Sequence, residues 1–111
     1  DKGKFSVHFK GYLNIKEDGL YTIFNQSGGE TYLYLHDKKI LTNENSSEKN
    51  VVLGLKKGLH PIVVNYKIWR GNPNLNLQIE GPGIEKQVIE NNMLKYWQRI
   101  FWLRSEERRV G

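Results

Sequence analysis

The sequence contains no cysteine and no alanine among its 111 residues. Without cysteine, the chain cannot build a disulfide scaffold, a zinc finger, an iron–sulfur site or a thiol nucleophile. Alanine is the best helix former, whereas the chain has eleven glycines and eleven asparagines, which are turn residues. This composition favours strands and loops over helices.

The hydrophobic pattern, the length and the charged fraction of the chain narrow the class of protein further. No apolar run approaches the roughly 18 residues that a membrane-spanning helix needs, so we expect no membrane insertion. A length of 111 residues allows one small domain and excludes a multidomain enzyme. Charged residues make up 26% of the chain, close to the ~25% of ordinary soluble proteins. The composition therefore predicts one folded domain rather than global disorder.

Positive charge is concentrated near the C-terminus. The formal net charge is +5 and the isoelectric point is near 9.5, values that would normally suggest nucleic acid or an anionic membrane as a partner. Residues 1–94 contain 12 Lys and Arg against 10 Asp and Glu, whereas residues 95–111 contain 5 against 2. Because most of the excess lies in the last segment, we expect no nucleic-acid partner.

The last segment also differs in composition from the rest. Arginine occurs once before residue 95, at Arg70, and four times after it. The final eight residues, RSEERRVG, resemble translated sequencing-adapter sequence at the ends of metagenomic open reading frames. One interpretation is therefore a domain over residues 1–94 followed by a tail, 95–111, that is not native sequence.

The alternative for the tail is a short C-terminal amphipathic helix. Apolar residues recur there at intervals of three and four, which is typical of one helix face. These residues are Met93, Leu94, Trp97, Ile100 and Phe101. Neither interpretation makes the tail a functional site.

Strand patterns dominate from residue 5 to residue 79. Phe5, Val7 and Phe9 alternate with polar residues, which is the period of a half-buried strand. Further β-branched and aromatic runs are separated by turn sequences, and we expect GPG at 81–83 to end the sheet region. This spacing predicts an all-β antiparallel sandwich or barrel. The expected strands cover residues 5–15, 20–24, 31–35, 40–41, 51–55, 59–69 and 75–79.

The sequence offers no arrangement that points to catalysis or to a metal ion. His8, His36 and His60 are too far apart in sequence to form a metal-ligand motif. Acidic residues lie mostly in turns, where carboxylates usually bond their own backbone. There is no G-x-S-x-G motif, no P-loop and no nucleophile beside a base. We therefore expect no enzyme, no cofactor and no metal site.

Several segments occur in the same order as in a known family. The run SVHFKGYLNIKEDGLYTIF, residues 6–24, resembles the first half of the N-terminal-type domain of anthrax protective antigen, the PA-fourteen domain. The resemblance covers roughly residues 5–94 and implies a β-sandwich. Family members usually have further strands upstream, so we expect this chain to be an N-terminally truncated copy. The other matching segments are LYLHDKK (33–39), LKKGLHPIVVNY (55–66) and LNLQIEGPGIEKQVI (75–89).

The resemblance implies a non-catalytic accessory module of a larger secreted or cell-surface bacterial protein. Carbohydrate binding is the family's best supported role, so the expected partners are a glycan or polysaccharide and a covalently linked catalytic or anchoring domain. The implied location is extracytoplasmic, whether secreted, periplasmic or on the cell surface. The rival function is a structural spacer or protein-interaction sandwich with no sugar ligand.

In adhesin members of the family, two adjacent aspartates of an S-D-D-G-type loop hold a calcium ion that coordinates sugar hydroxyls. Here the corresponding loop reads Ser27-Gly28-Gly29-Glu30. Affinity for calcium follows the number of charged oxygen ligands. Because both aspartates are replaced by glycine, we expect no calcium site.

Two loops carry the candidate ligand-binding residues. A sugar site needs an aromatic face for the apolar side of the ring and polar groups for the hydroxyls. The loop after the long strand offers an indole, a guanidinium and an amide, and the loop at the family's binding position offers an amide, a hydroxyl and a carboxylate. The candidates are Gln26, Ser27, Glu30, Trp69, Arg70 and Asn72.

Two alternatives stay open for these loops. Trp69 can pack in the core rather than stack on a sugar, although Asn65 and Lys67 make its strand phase the wetter one. Residues 26–31 can form a plain Gly-Gly hairpin turn.

Overall fold

The computed structural model describes residues 5–45, 47–89 and 93–103, with the side chains described up to residue 95. Within these residues the chain forms nine β-strands and no α-helix, and no helix there is long and apolar enough to cross a membrane. All seven strands expected from the sequence are present. In chain order the strands are β1 (Phe5–Ile15), β2 (Gly19–Asn25), β3 (Glu30–Leu35), β4 (Lys38–Asn43), β5 (Lys49–Leu55), β6 (Gly58–Ile68), β7 (Leu77–Gly81), β8 (Ile84–Val88) and β9 (Leu94–Leu103).

The strands form two antiparallel sheets that pack face to face. The five-stranded sheet has the order β4-β3-β6-β1-β9, and the four-stranded sheet has the order β5-β2-β7-β8. Neither sheet closes on itself, so the structure is a sandwich and not a barrel. The all-β antiparallel prediction is confirmed.

Alternating side chains of the two sheets fill the space between them. Each buried Val, Leu or Ile contributes about 1.5–3 kcal/mol relative to an exposed position. Because every second residue of a strand points the other way, Tyr32, Asn65 and Lys67 lie on the outer face of the five-stranded sheet. The largest fully buried apolar side chains are Leu13, Tyr21, Ile23, Leu33, Ile62, Val64, Tyr66 and Ile79.

The prediction that the sheet region ends at GPG, residues 81–83, is wrong, because strand β8 follows it. Pro82 and Gly83 instead form the turn between β7 and β8, and Gly83 has a φ of 72°. A proline followed by a glycine at positive φ suits a tight turn as well as a chain exit. β8 escapes sequence prediction because four of its five residues are exposed and no apolar alternation marks it.

The alternative of a short C-terminal helix is also wrong, because Leu94–Leu103 is strand β9. β9 pairs antiparallel with β1, from Phe5 opposite Leu103 to Leu13 opposite Leu94. Its sequence is rich in aromatic residues, which favour strands, and pairing with β1 overrides the helical spacing. The division of the chain at residue 94 stays a prediction, and the adapter-like end, residues 104–111, lies outside the described residues.

Candidate functional site

Three loops meet at one end of the sandwich. The β2–β3 and β6–β7 loops are joined by two backbone hydrogen bonds. Gly28 N–H donates to the Asn74 carbonyl at 2.9 Å, and Gln26 N–H donates to the Asn76 carbonyl at 3.2 Å. The two segments predicted to bind ligand are therefore neighbours in the fold. The third loop, between β4 and β5, reaches them through buried side chains.

A buried chain of polar side chains fixes the positions of these loops. Asn43 Nδ2 donates to Asn25 Oδ1 at 2.8 Å and to the Ser47 carbonyl at 2.9 Å. Asn25 Nδ2 in turn donates to Ser27 Oγ at 2.9 Å and to the Asn76 carbonyl at 3.1 Å. Because Asn25, Ser27 and Asn43 are at most 3% exposed, these hydrogen bonds replace hydration lost on folding.

The two glycines of the β2–β3 loop have different surroundings. A Cβ at Gly29 would lie 2.2 Å from the Lys67 carbonyl oxygen and 3.0 Å from Ile68 Cβ, so no larger residue fits without a backbone shift. A Cβ at Gly28 would lie 3.6 Å from Asn74 Cβ, which is ordinary contact. Close packing against β6 therefore explains why residue 29 is a glycine, whereas Gly28 borders open space.

That open space is a small pocket, which we call the loop pocket. It has a volume of about 260 Å³ and is lined by Gln26, Ser27, Gly28, Asn74 and Asn76. None of these five residues carries a formal charge. Amide and backbone groups therefore supply its chemistry, and they suit hydrogen bonds with neutral hydroxyls.

Two of the predicted ligand-binding residues, Gln26 and Ser27, line the loop pocket. Ser27 Oγ accepts hydrogen bonds from Asn25 Nδ2 and, at 3.2 Å, from Asn76 N–H, so this hydroxyl holds the two loops together. Gln26 is exposed and is accessible to a ligand. Asn74 and Asn76 line the pocket without being singled out by any motif, and the asparagine-rich composition of their loop is the signal that points to them.

Trp69, Arg70 and Asn72 lie on the β6–β7 loop, and all three are exposed. Trp69 is 50% exposed although it directly follows Ile68, which is buried. The alternative that Trp69 packs in the core is therefore wrong. Its role in ligand binding stays a prediction.

Glu30, in contrast, does not line the loop pocket. It lies opposite Lys67 on the five-stranded sheet, and its Oε1 accepts a hydrogen bond from the Tyr32 hydroxyl at 3.0 Å. Glu44 Oε2 is 3.2 Å from the same hydroxyl. Burial, with these two carboxylates, raises the pKa of Tyr32 to about 12 and keeps the phenol protonated.

Two histidines that are distant in sequence lie next to each other. His36 is in the turn between β3 and β4, and His60 is near the start of β6. His36 Nε2 lies 2.8 Å from His60 Nδ1, and His60 Nε2 bonds the Lys56 carbonyl at 2.7 Å. The two residues are therefore neighbours in the fold although they lie 24 positions apart in the sequence. Among the described residues, no group of three or more His, Asp or Glu side chains is placed to hold a metal ion.

Comparison with known proteins identifies relatives at the level of the family and the fold. A family model described as PA14 domain matches residues 1–92. A search of curated proteins finds no match.

Several solved structures are similar to this chain, among them the three described next. An anti-sigma factor domain-containing protein from Clostridium clariflavum has a TM-score of 0.73 and 21% identity, over 80% of this chain and 32% of that one. The PA14 domain of the antifreeze protein MpAFP has a TM-score of 0.69 and 14% identity, over 83% and 52%. An epithelial adhesin A domain from Candida glabrata, in complex with β-lactose, has a TM-score of 0.68 and 12% identity, over 88% and 51%.

The chain therefore spans about a third of the first structure and about half of the other two. At these identities the similarity shows the fold alone.

Proposed function

This chain belongs to the PA14 domain family, and we propose that it is a non-catalytic carbohydrate-binding module of a larger bacterial protein exposed outside the cytoplasm. Its ligand is a glycan or polysaccharide. Its second partner is the catalytic or anchoring domain to which it is covalently linked.

One observation carries this proposal: the two predicted loops meet and form an uncharged, amide-lined pocket, and the β6–β7 loop that lines it also carries an exposed tryptophan. Gln26, Asn74 and Asn76 offer donors and acceptors to sugar hydroxyls. Trp69 and Asn72 are exposed on the same loop as Asn74, and in this proposal the indole stacks on the apolar side of a sugar ring.

The expected affinity is modest. Stacking that removes ~100 Å² of apolar surface from water is worth roughly 2.5 kcal/mol. Together with a few hydrogen bonds, this gives a Kd between about millimolar and micromolar. The adhesin structure with β-lactose supports the proposal because it shows that a similar fold holds a sugar.

The test is a glycan array followed by calorimetric titration of the full chain with the sugars retained. Trp69→Ala and Asn74→Ala should each weaken binding by about tenfold, because they remove a stacking surface and an amide. Leu59→Ala is the matched control, since Leu59 is an exposed apolar residue of β6 (45% exposed) outside the loops.

These measurements distinguish a carbohydrate-binding module from a structural spacer. Loss of binding in the two loop variants, with the control unchanged, supports the loop pocket as the site. Absence of retained glycans on the array would favour the structural spacer or protein-interaction module.

Binding should be independent of calcium. The residues lining the loop pocket have no carboxylate, and Glu30 is hydrogen-bonded to Tyr32 on the outer face of a sheet. Calcium requires six to eight oxygen ligands, with affinity set by the charged ones. Titrations in EDTA and in about 1 mM calcium should give the same Kd, and a loss of affinity in EDTA would contradict this.

A further inference from the structure

A second depression lies on the outer face of the five-stranded sheet. We call it the sheet groove. Its volume is about 340 Å³, within the range of small-molecule sites, and it shares no lining residue with the loop pocket. The side chains that concern us are His8, Tyr32, Tyr34, Lys39, Asn65 and Lys67.

Strand register gathers these side chains into one patch. His8 of β1 lies opposite Asn65 of β6, and Asn65 lies opposite Tyr32 of β3. Lys39 of β4 lies opposite Tyr34 of β3. Because neighbours in register share a face, four strands contribute to a single polar surface.

Two ammonium groups of the groove lie against an aromatic ring. The Nζ atoms of Lys39 and Lys67 lie 5.5 and 6.0 Å from the centroid of the Tyr32 ring, where the ring attracts a cation without carrying an opposing charge. Neither lysine forms an ion pair with a carboxylate of the described residues. The nearest carboxylates, Glu30 and Glu44, bond the Tyr32 hydroxyl and keep their negative charge, so they compete with an acidic ligand for the two lysines.

Neutral hydrogen-bonding groups lie beside these charges. His8 Nδ1 is hydrogen-bonded to Asn65 Oδ1, so Nδ1 donates and Nε2 is an acceptor when the ring is neutral. Asn65 Nδ2 has no acceptor among the described residues and is a donor available to a ligand. An acceptor next to a donor matches a hydroxyl, which both donates and accepts.

We propose that the sheet groove is a second binding site, separate from the loop pocket, for an acidic saccharide. Lys39 and Lys67 contact its carboxylate or sulfate group. His8 and Asn65 contact neighbouring hydroxyls, and the Tyr34 ring covers an apolar patch of the sugar.

Binding is measured on the full chain with two pairs of probes and one further polyanion. Oligogalacturonate is compared with its fully methyl-esterified form, and dextran sulfate with neutral dextran, so the two arms distinguish a carboxylate from a sulfate. Single-stranded DNA tests whether charge alone is sufficient. The unmodified chain should bind at least one acidic probe clearly more tightly than its neutral form.

The variants remove charge at two different places. Lys39→Gln with Lys67→Gln should weaken binding of the acidic probe at least about tenfold, as expected for loss of charge-assisted hydrogen bonds. Lys56→Gln with Lys57→Gln removes the same net charge from the exposed β5–β6 turn and should change binding less than about twofold. Glu44→Gln should strengthen binding. Thermal melts of each variant confirm that it is folded.

Three results would overturn the proposal. These are equal losses in the two double-lysine variants, DNA binding as tight as that of the best saccharide, and no binding of either acidic probe. The Lys39→Gln, Lys67→Gln variant should bind the neutral glycans retained on the array as the unmodified chain does, because neither lysine lines the loop pocket, so the two sites succeed or fail separately.

Discussion

The side chains of Asn25 and Asn43 are hydrogen-bonded to each other in the interior, with 2.8 Å between Asn43 Nδ2 and Asn25 Oδ1. Asn25 ends β2 in the four-stranded sheet, and Asn43 ends β4 in the five-stranded sheet. The bond therefore joins the two layers of the sandwich at the end that carries the loop pocket. It makes the geometry of the loops depend on the packing of the sheets.

Asn43→Ala should lower the free energy of unfolding by about 1–3 kcal/mol, because it leaves Asn25 Oδ1 and the Ser47 carbonyl without their donor. Asn50→Ala, at an exposed position of β5, should cost less than about 0.5 kcal/mol. Urea unfolding of both variants measures the difference. Equal stabilities would show that water replaces the lost donor and that the pair does not fix the loops.

The sequence predicts the strands whose apolar residues alternate, and it misses those without that pattern. β3 buries Thr31, Leu33 and Leu35 in strict alternation and is predicted nearly to the residue. β8 is mostly exposed, so no apolar period marks it. β9 has an apolar pattern that fits a helix equally well, and only its pairing with β1 decides between them.

The candidate site is only partly predictable, because it depends on burial and on contacts between residues that are distant in the chain. The exposure of Gln26 follows from its position in a loop, whereas the sequence left open whether Trp69 is exposed or buried. The burial of Asn25 and Asn43 cannot be predicted from the sequence, because asparagine usually indicates a turn or an exposed position. The sheet groove also depends on register between strands that are distant in the chain, which one sequence does not give.

Gly29→Ala should be strongly destabilising, whereas Gly28→Ala should be nearly neutral. The new methyl group would collide with the Lys67 carbonyl in the first variant and meet only Asn74 Cβ in the second. Forced overpacking costs about 1–3 kcal/mol or more, and it acts here on the backbone. Chemical denaturation of the two variants makes a matched comparison, and equal stabilities would disprove the close approach of Gly29 to β6.

Removing residues 95–111 should lower the melting temperature by more than about 5 °C, because deletion of β9 turns β1 into an edge strand. Removing residues 104–111 alone retains the whole of β9 and is the control. Differential scanning calorimetry gives both values. If the longer truncation melts with the full chain, the pairing of β9 with β1 contributes nothing to stability.

Stability should decrease as the pH rises from about 10 to about 12, in part because of Tyr32. The pKa of this phenol is 10.0 in the absence of interactions and about 12 in the fold, through burial first and then through Glu30 and Glu44. In this interval the unfolded chain has released the proton and the folded chain still binds it, so rising pH favours unfolding. The contribution is complete below about pH 10 and is lost as the pH passes about 12.

Tyr32→Phe removes that proton and should make stability fall less steeply over the same interval. Tyr21, whose pKa is also raised, chiefly by burial, is present in both proteins and cancels in the comparison. Unfolding at several pH values gives the two slopes, and absorbance titration should show one late-ionising phenol fewer in the variant. Parallel slopes would mean that Tyr32 ionises with an ordinary pKa and that Glu30 and Glu44 do not hold its hydroxyl.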